Sequence, residues 1–278
     1  MSPVDRTLAY PRRYVVAYDG GRETLRWAGV LARSLEVGLD VVVVVRSDDP
    51  FGSHYPPFSD VVTEQAQGWA REALAEFGPD VDVRTEVRTA GSVPEGLLEA
   101  AADATAIVVG TTGGVLGVGT VARTLLHASP VPVLLVPRRE PPGRVDHLYV
   151  AVGTRPGASA VLAEACEAAE RTGLPLHVVS LVEVDEDSGA DPELVARMNA
   201  AVEEVRGRTG PGNVSTEVGR GRTMAEAVSS IDWAPGGLLI VGSSRLAQGR
   251  QTFLGPTAAR ILRHVPVPVV VVPRGGAS

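Results

Sequence analysis

The apolar positions of this chain fall into short dense runs, each followed by a stretch of helical period. Tyr14–Tyr18 is apolar and stops at Asp19-Gly20-Gly21; Leu25, Ala28, Leu31, Ala32 and Leu35 then recur three or four residues apart, as on one face of an amphipathic helix. Gly38 is expected to end that helix. Val41–Val45 is an unbroken run of valine, a strand apolar on both faces, which belongs inside a parallel sheet covered by helices on both sides. Residues 50–60 are rich in Pro and small polar residues and predict a loop. A helix is expected near 61–77, then a strand whose apolar positions alternate at Val81, Val83 and Val87. Ser92-x-x-Glu95 has the form of a capping box, with the hydroxyl accepting from a free N–H and the Glu returning to the cap's own N–H. It predicts a helix over about 93–103. Ala106–Gly110 and Val133–Val136 complete the set of strands.

The scheme then repeats. Val131-Pro-Val-Leu-Leu-Val-Pro137 answers Val267-Pro-Val-Val-Val-Val-Pro273 at an offset of 136, Ala106–Gly110 answers Leu238–Gly242 at 132, and Tyr14–Tyr18 answers Leu148–Val152 at 134. Three segments in the same order at nearly the same spacing mark a duplication. The second copy is expected to hold a helix near 158–172, a strand at Leu176–Val182, a helix near 192–206, a strand at Val214–Val218 and a helix near 224–232, the last opened by Thr223-x-x-Glu226. Each half reads as strands alternating with helices. The fold class is therefore α/β: two tandem doubly wound, Rossmann-like domains, each a five-stranded parallel sheet with helices on both faces. The expected boundaries are a leader over 1–11, a first domain over 12–138, a linker over 139–145 and a second domain over 146–275. The linker follows from Pro137–Val145, whose prolines and charges continue neither strand nor helix.

Composition narrows the function classes. Aromatics are only 4% of a chain that is 44% hydrophobic, so the core is built from Val, Leu, Ile and Ala. The net charge of −7 argues against a general nucleic-acid or anionic-membrane binder, which needs a basic footprint. A small anion held by a few backbone N–H groups stays open. Cys166 is the single cysteine and reads as a small buried side chain. No apolar run is long enough to span a bilayer and no signal-peptide core stands near the N-terminus, so a cytoplasmic location is expected. The five histidines (54, 127, 147, 177 and 264) show no metal-ligand spacing, His177 and His264 read as ordinary fold residues, and no Ser/His/Asp constellation can be assembled.

In open parallel sheets ligands collect beyond the C-terminal ends of the strands, and the unusual residues lie there. Strand one ends in Asp19-Gly20-Gly21. Strand four runs into Gly110-Thr-Thr-Gly113-Gly114-Val-Leu-Gly117-Val-Gly119-Thr120, with a helix directly after it. Five glycines in ten residues let the backbone turn its N–H groups toward one point, and the helix adds its positive end. The same glycines also suit a plain structural turn. Asp19 suits either a nucleotide contact or an Asx-turn opening the first helix. Thr120 is placed either to donate its hydroxyl to a phosphate oxygen or to cap the helix. No Lys follows the glycines, so this is not a Walker loop, and the Ser-Gly-Gly-x-Asp-Ser of ATP pyrophosphatases is absent.

At these residues the chain resembles the universal stress proteins, twice over and across nearly its whole length. ATP-binding members carry an Asp at the end of strand one, Gly-x2-Gly-x9-Gly-[Ser/Thr] after strand four, and a Val-Pro-Val run leading into strand five. The resemblance implies an adenine-nucleotide site in the first half, with Asp19 near the adenine and ribose, Val45 at the base, and Gly110, Gly113, Gly119 and Thr120 around the phosphates. The expected cofactor is ATP with Mg2+. Five residues rather than nine separate Gly113 from Gly119, so the phosphate loop is shortened. In the second half Gly242 and Gly255 keep the spacing, Arg245 replaces the second Gly, Pro256 replaces the Ser/Thr, Gly153 replaces the Asp, and Thr257 is left as the nearest hydroxyl. That site reads as degenerate. Arg245 suits a solvated loop arginine or a phosphate clamp. Relatives pair strand five antiparallel across a dimer, which here implies a pseudo-dimer of the two halves through Val133–Val136 and Val269–Val272, and a homodimer of chains beyond it. The functional expectation is a nucleotide-binding stress-response module, at most a slow ATPase because no general base stands out. The alternative is a nucleotide-independent scaffold whose pockets have decayed.

Overall fold

The computed structural model describes residues 12–47, 56–111, 118–152, 159–184, 192–209, 214–243 and 254–273. The expected leader over 1–11 lies outside them. The first half runs β1 (Arg13–Ala17), α1 (Arg22–Leu35), β2 (Gly38–Arg46), α2 (Pro56–Ala75), β3 (Val83–Ala90), α3 (Val93–Ala100), β4 (Ala106–Gly110), α4 (Thr120–Ala128) and β5 (Val133–Val136). The second runs β6 (His147–Ala151), α5 (Ser159–Thr172), β7 (Leu176–Glu183), α6 (Pro192–Thr209), β8 (Val214–Gly221), α7 (Met224–Ser229), β9 (Gly237–Gly242), α8 (Pro256–Leu262) and β10 (Val269–Val272). No described helix is long and apolar enough to cross a membrane.

Within each half the strands pair in parallel, and the halves meet where β5 and β10 pair antiparallel, Val133 opposite Val271 and Leu135 opposite Val269. The result is one ten-stranded sheet of order β3-β2-β1-β4-β5-β10-β9-β6-β7-β8. Strand alternation divides its side chains into two cores. Val16, Val41, Val43, Val108, Leu134, Leu148, Val178, Ile240 and Val270 face α1, α2, α5 and α6. Val15, Val42, Ile107, Leu135, Tyr149, Val179, Leu239 and Val269 face α3, α4, α7 and α8. Both cores run across the junction, and further ties cross it. The Val145 amide donates to Ser34 Oγ at 2.9 Å, the Leu254 amide to the Leu126 carbonyl at 3.2 Å, and Trp27 Nε1 to the Arg139 carbonyl at 2.9 Å.

Several expected boundaries move: Val81 precedes β3, α3 ends at Ala100, β8 runs on to Gly221, and two further shifts have a physical reason. Gly38 does not end α1: the helix stops at Leu35 through Glu36, which takes the left-handed conformation at φ 51°, and Gly38 opens β2. Its smallness serves packing, because a Cβ there would lie 2.4 Å from the guanidinium of Arg13. That guanidinium ties the N-terminal ends of three strands, donating through Nε to both Asp40 oxygens at 2.9 Å, to Asp82 Oδ2 at 2.5 Å and to the Leu39 carbonyl at 2.6 Å. The loop expected over 50–60 gives way to α2 at Pro56; its earlier residues to Tyr55 lie outside the described ones. Proline at a helix start loses nothing, since the first amides have no intrahelical acceptor, so Pro56-Pro57 opens the helix.

The capping residues act as read for the hydroxyls. Ser92 Oγ accepts from the Glu95 amide at 3.3 Å and Thr223 Oγ1 from the Glu226 amide at 3.2 Å. The return arm differs, for Glu226 Oε2 accepts from the Arg222 amide at 2.7 Å, one residue before the cap.

At the N-terminal edge of the second half, rings form a column. Tyr149 lies 4.8 Å from His177, His147 5.3 Å from His177, and Trp233 4.8 Å from Tyr149. Burial, with His147 adding to it, holds the His177 pKa below its ordinary 6.5. The folded protein therefore keeps this ring neutral, while the unfolded chain takes up the proton first as pH falls. Stability from this source is intact above about pH 6.5 and declines below it. His177→Phe, which retains the stack, should make the melting temperature fall less between about pH 7.5 and pH 5.5 than in the parent; parallel curves would contradict this.

Candidate functional site

At the C-terminal ends of β1, β2 and β4, between α2, α3 and α4, lies a cavity of about 360 Å3. The chain reaches it from β1 through a turn. Asp19 Oδ1 accepts from the Gly21 amide at 3.1 Å, closing an Asx-turn, and Gly20 takes φ +94° within it, a conformation suited to glycine. Asp19 is exposed, lines the cavity, and its second oxygen accepts no hydrogen bond from any described residue. Beside it Tyr18 is buried, and burial pushes its phenol pKa up, helped by Glu72.

Across the cavity stands the start of α4. Gly119 is its N-cap, in extended backbone at φ −62° and ψ 170°, and no side chain caps the helix. Thr120 is the first helical residue and so does not act as the cap. The first-turn residues Thr120, Val121 and Ala122 line the cavity, where the positive end of a helix favours an anion. Gly110 forms part of the wall by close approach: a Cβ on it would lie 2.4 Å from Thr24 Oγ1.

The structure thus brings Asp19, Gly110, Gly119 and Thr120 to one cavity. Gly113 lies outside the described residues. Val45 is not among the lining residues; Val42, Val43 and Val44 line the cavity instead. Val45 packs against the core under α1 and α2, on the face that it shares with Val41 and Val43. Trp69 and Arg138 are among the further lining residues that were not foreseen. Trp69 on α2 presents a half-buried indole, and the signal for it was its rarity, as one of three tryptophans. Arg138, just past β5, brings the cavity an arginine with no hydrogen-bond or ion-pair partner among the described residues. Nothing local in the sequence marks it.

The second half holds the same elements with different chemistry. Gly255 is again an N-cap without side-chain help, at φ −73° and ψ 164°, but Pro256 is the first helical residue and offers no N–H. Gly242 ends β9, and the Ser243 amide donates to the Val272 carbonyl at 2.8 Å. Thr257 is exposed in the first turn of α8; Arg245 and Gly153 lie outside the described residues. A contact that the sequence did not reveal ties these elements together. Glu183 at the end of β7 accepts from the Met224 amide at 3.0 Å and from both terminal nitrogens of Arg260 on α8 at 2.9 and 2.6 Å. β7, α7 and α8 correspond to β2, α3 and α4. A carboxylate and its arginine therefore bind together the three elements whose counterparts open a cavity in the first half.

The sequence profile described as the universal stress protein family matches residues 11–137 and again 145–273. A universal stress protein of Mycobacterium tuberculosis is 28% identical over 291 aligned residues, covering 93% of this chain and 99% of its own. A universal stress protein of Mycobacterium bovis aligns with the same figures. Among solved structures, a universal stress protein from Archaeoglobus fulgidus superposes with a TM-score of 0.70 at 20% identity, over 95% of this chain and 98% of its own. A second, from Pseudomonas aeruginosa, gives 0.57 at 16% identity, over 95% and 94%. At these identities the structural likeness speaks to the fold.

The two strand-four glycines differ in what an added methyl meets. Gly110→Ala drives a Cβ into Thr24, whereas at Gly242 the nearest atoms are those of Val161 at 3.6 Å, an ordinary contact. Gly110→Ala is expected to cost about 1–3 kcal/mol by overpacking and Gly242→Ala under about 1. Urea denaturation of the two variants checks this; equal losses would contradict it.

Proposed function

Because the chain belongs to the universal stress protein family, we propose that its first half binds one adenine nucleotide, ATP with Mg2+ being the first candidate, and that the second half does not. What supports this reading is one cavity lined by the Asp19 turn, the close-approach glycine Gly110 and the uncapped start of α4. A cavity of about 360 Å3 stands at the small end of the ~300–1,000 Å3 typical of ligand sites. It suits an enclosed adenosine whose phosphates run out over Gly119 and Thr120 toward Arg138. Trp69 offers the base a ring face, and the free Asp19 oxygen offers the ribose hydroxyls an acceptor. The wall of Val42, Val44, Val109 and Leu97 suits the apolar faces of the base.

On this reading the protein is a stress-response binding module: occupancy biases which partners it associates with. Hydrolysis, if catalysed, is slow, because no histidine stands among the described lining residues to act as a general base. In the second half, the Glu183–Arg260 clasp and Pro256 favour a scaffolding role, since a carboxylate already accepts the α7 amide there.

The test has two arms. Purified protein is denatured and the released nucleotides identified, and stripped protein is titrated with ATP-Mg2+ while tryptophan emission is followed. ATP should be recovered, binding should change the emission, and Trp69→Phe should abolish that change. Asp19→Ala should weaken binding by about tenfold, the loss of a hydrogen bond to a charged group. No recovered nucleotide, together with no calorimetric response at ~1 mM ATP-Mg2+, would contradict the reading.

A further inference from the structure

Over the seam between β5 and β10, on the face that carries α4 and α8, lies a second and larger concavity of about 690 Å3. Its floor is apolar, with Leu135 from β5, Val269 from β10 and Val267 on the approach to it. The wall continues apolar through Val118, Leu254 and Leu262. Its ionisable lining is basic throughout. Arg123 and His127 come from α4, Arg138 and Arg139 follow β5, and Arg263 follows α8; no Asp or Glu lines it. The whole chain carries −7, so this is a marked segregation of cations.

The repeat explains the layout. His127 and Arg263 occupy corresponding places at the 136-residue offset that also relates the two Val-Pro-Val segments, so the internal duplication sets one basic side chain on each side of the apolar floor. The guanidinium groups of Arg138 and Arg263 form no hydrogen bond or ion pair with any described residue. The Arg123 guanidinium donates over a long distance, 3.5 Å, to the Val118 carbonyl. Like charges gathered over an apolar surface repel one another, and an anion seated among them relieves that repulsion.

We propose that this groove binds a small amphipathic anion: an apolar chain or ring system ending in a carboxylate or a phosphate monoester. The guanidinium fork matches either head group with paired hydrogen bonds, and the apolar floor takes the body. The volume falls within the range of small-molecule sites, roughly 300–1,000 Å3. A second copy of the chain is a poorer occupant, since a two-fold contact through this face sets the same cations against one another. The inference is independent of nucleotide binding. Arg138 and Thr111 line both concavities, so the test leaves them untouched.

Nucleotide-stripped full-length protein is titrated calorimetrically, at low salt, with dodecyl phosphate below its micelle-forming concentration. Parallel titrations use dodecanoate, inorganic phosphate and dodecanol. At least one dodecyl anion should bind at one per chain, with the other anion's affinity showing which head group is preferred. Inorganic phosphate and dodecanol should each bind at least about tenfold more weakly, because each lacks one half of the recognition. The double variant Arg123→Glu/Arg263→Glu, on two exposed positions, should weaken binding of the anion at least about tenfold while its melting temperature and ATP titration match the parent. Dodecanol binding as tightly as the anions, or a double variant that binds them unchanged, would overturn the proposal. So would a sedimenting dimer that the double variant abolishes and dodecyl phosphate does not, which would make the groove an interface between chains.

Discussion

Where β5 meets β10, two strands that would each close a small sheet with an apolar edge instead close each other. All eight of their residues are buried. Left uncovered, each such aliphatic side chain would forfeit roughly 1.5–3 kcal/mol, and the strand edge would present unpaired amides and carbonyls to any passing chain. The antiparallel register removes both hazards within one polypeptide. It also makes the two cores continuous, so that α1 packs near α5 on one face while α4 and α8 flank the seam on the other. Both concavities depend on it. The smaller one is held by the parallel strands that the seam anchors, and the larger one has the seam as its floor.

Duplication supplied two equivalent sites, and the chain treats them differently. In the first half, small residues and an uncapped helix keep backbone amides available at the strand ends. In the second half, a proline takes the first helical position and Glu183 claims an α7 amide and the Arg260 fork. Among the described residues, the same scaffold thus lines a cavity with these elements in the first half and ties them to one another in the second. A symmetric fold with asymmetric chemistry suits a protein in which one half responds and the other supports.

The sheet was legible because valine runs such as Val41–Val45 have one comfortable home, a parallel strand covered on both sides, and because the repeat located them twice. Element ends were less so. Gly38 looks like a helix stop, yet it serves the Arg13 guanidinium packed against it, a neighbour that sequence order does not reveal. Pro56-Pro57 looks like a loop, although proline is at home in a first helical turn. Of the site, the residues tied to the backbone path (Asp19, Gly110, Gly119, Thr120) could be read directly, since turns and helix starts are local. Val45 follows three valines that do line the cavity, and its own packing against the core under α1 and α2 could be known only from the assembled sheet. Trp69, Arg138 and the Glu183–Arg260 clasp come from elements distant in sequence and could be found only once the sheet had been assembled.

The account turns on the claim that this duplicated chain holds one nucleotide, and holds it in the first half. Native mass spectrometry of the full chain with ATP-Mg2+ tests that most directly, because it counts ligands on the intact molecule. A single added nucleotide mass per chain, needing about tenfold more nucleotide to appear when Asp19 is replaced by Ala and unchanged when Arg260 is, agrees with the account. Two nucleotides per chain, none at all, or one whose retention depends on Arg260 rather than Asp19, would contradict it.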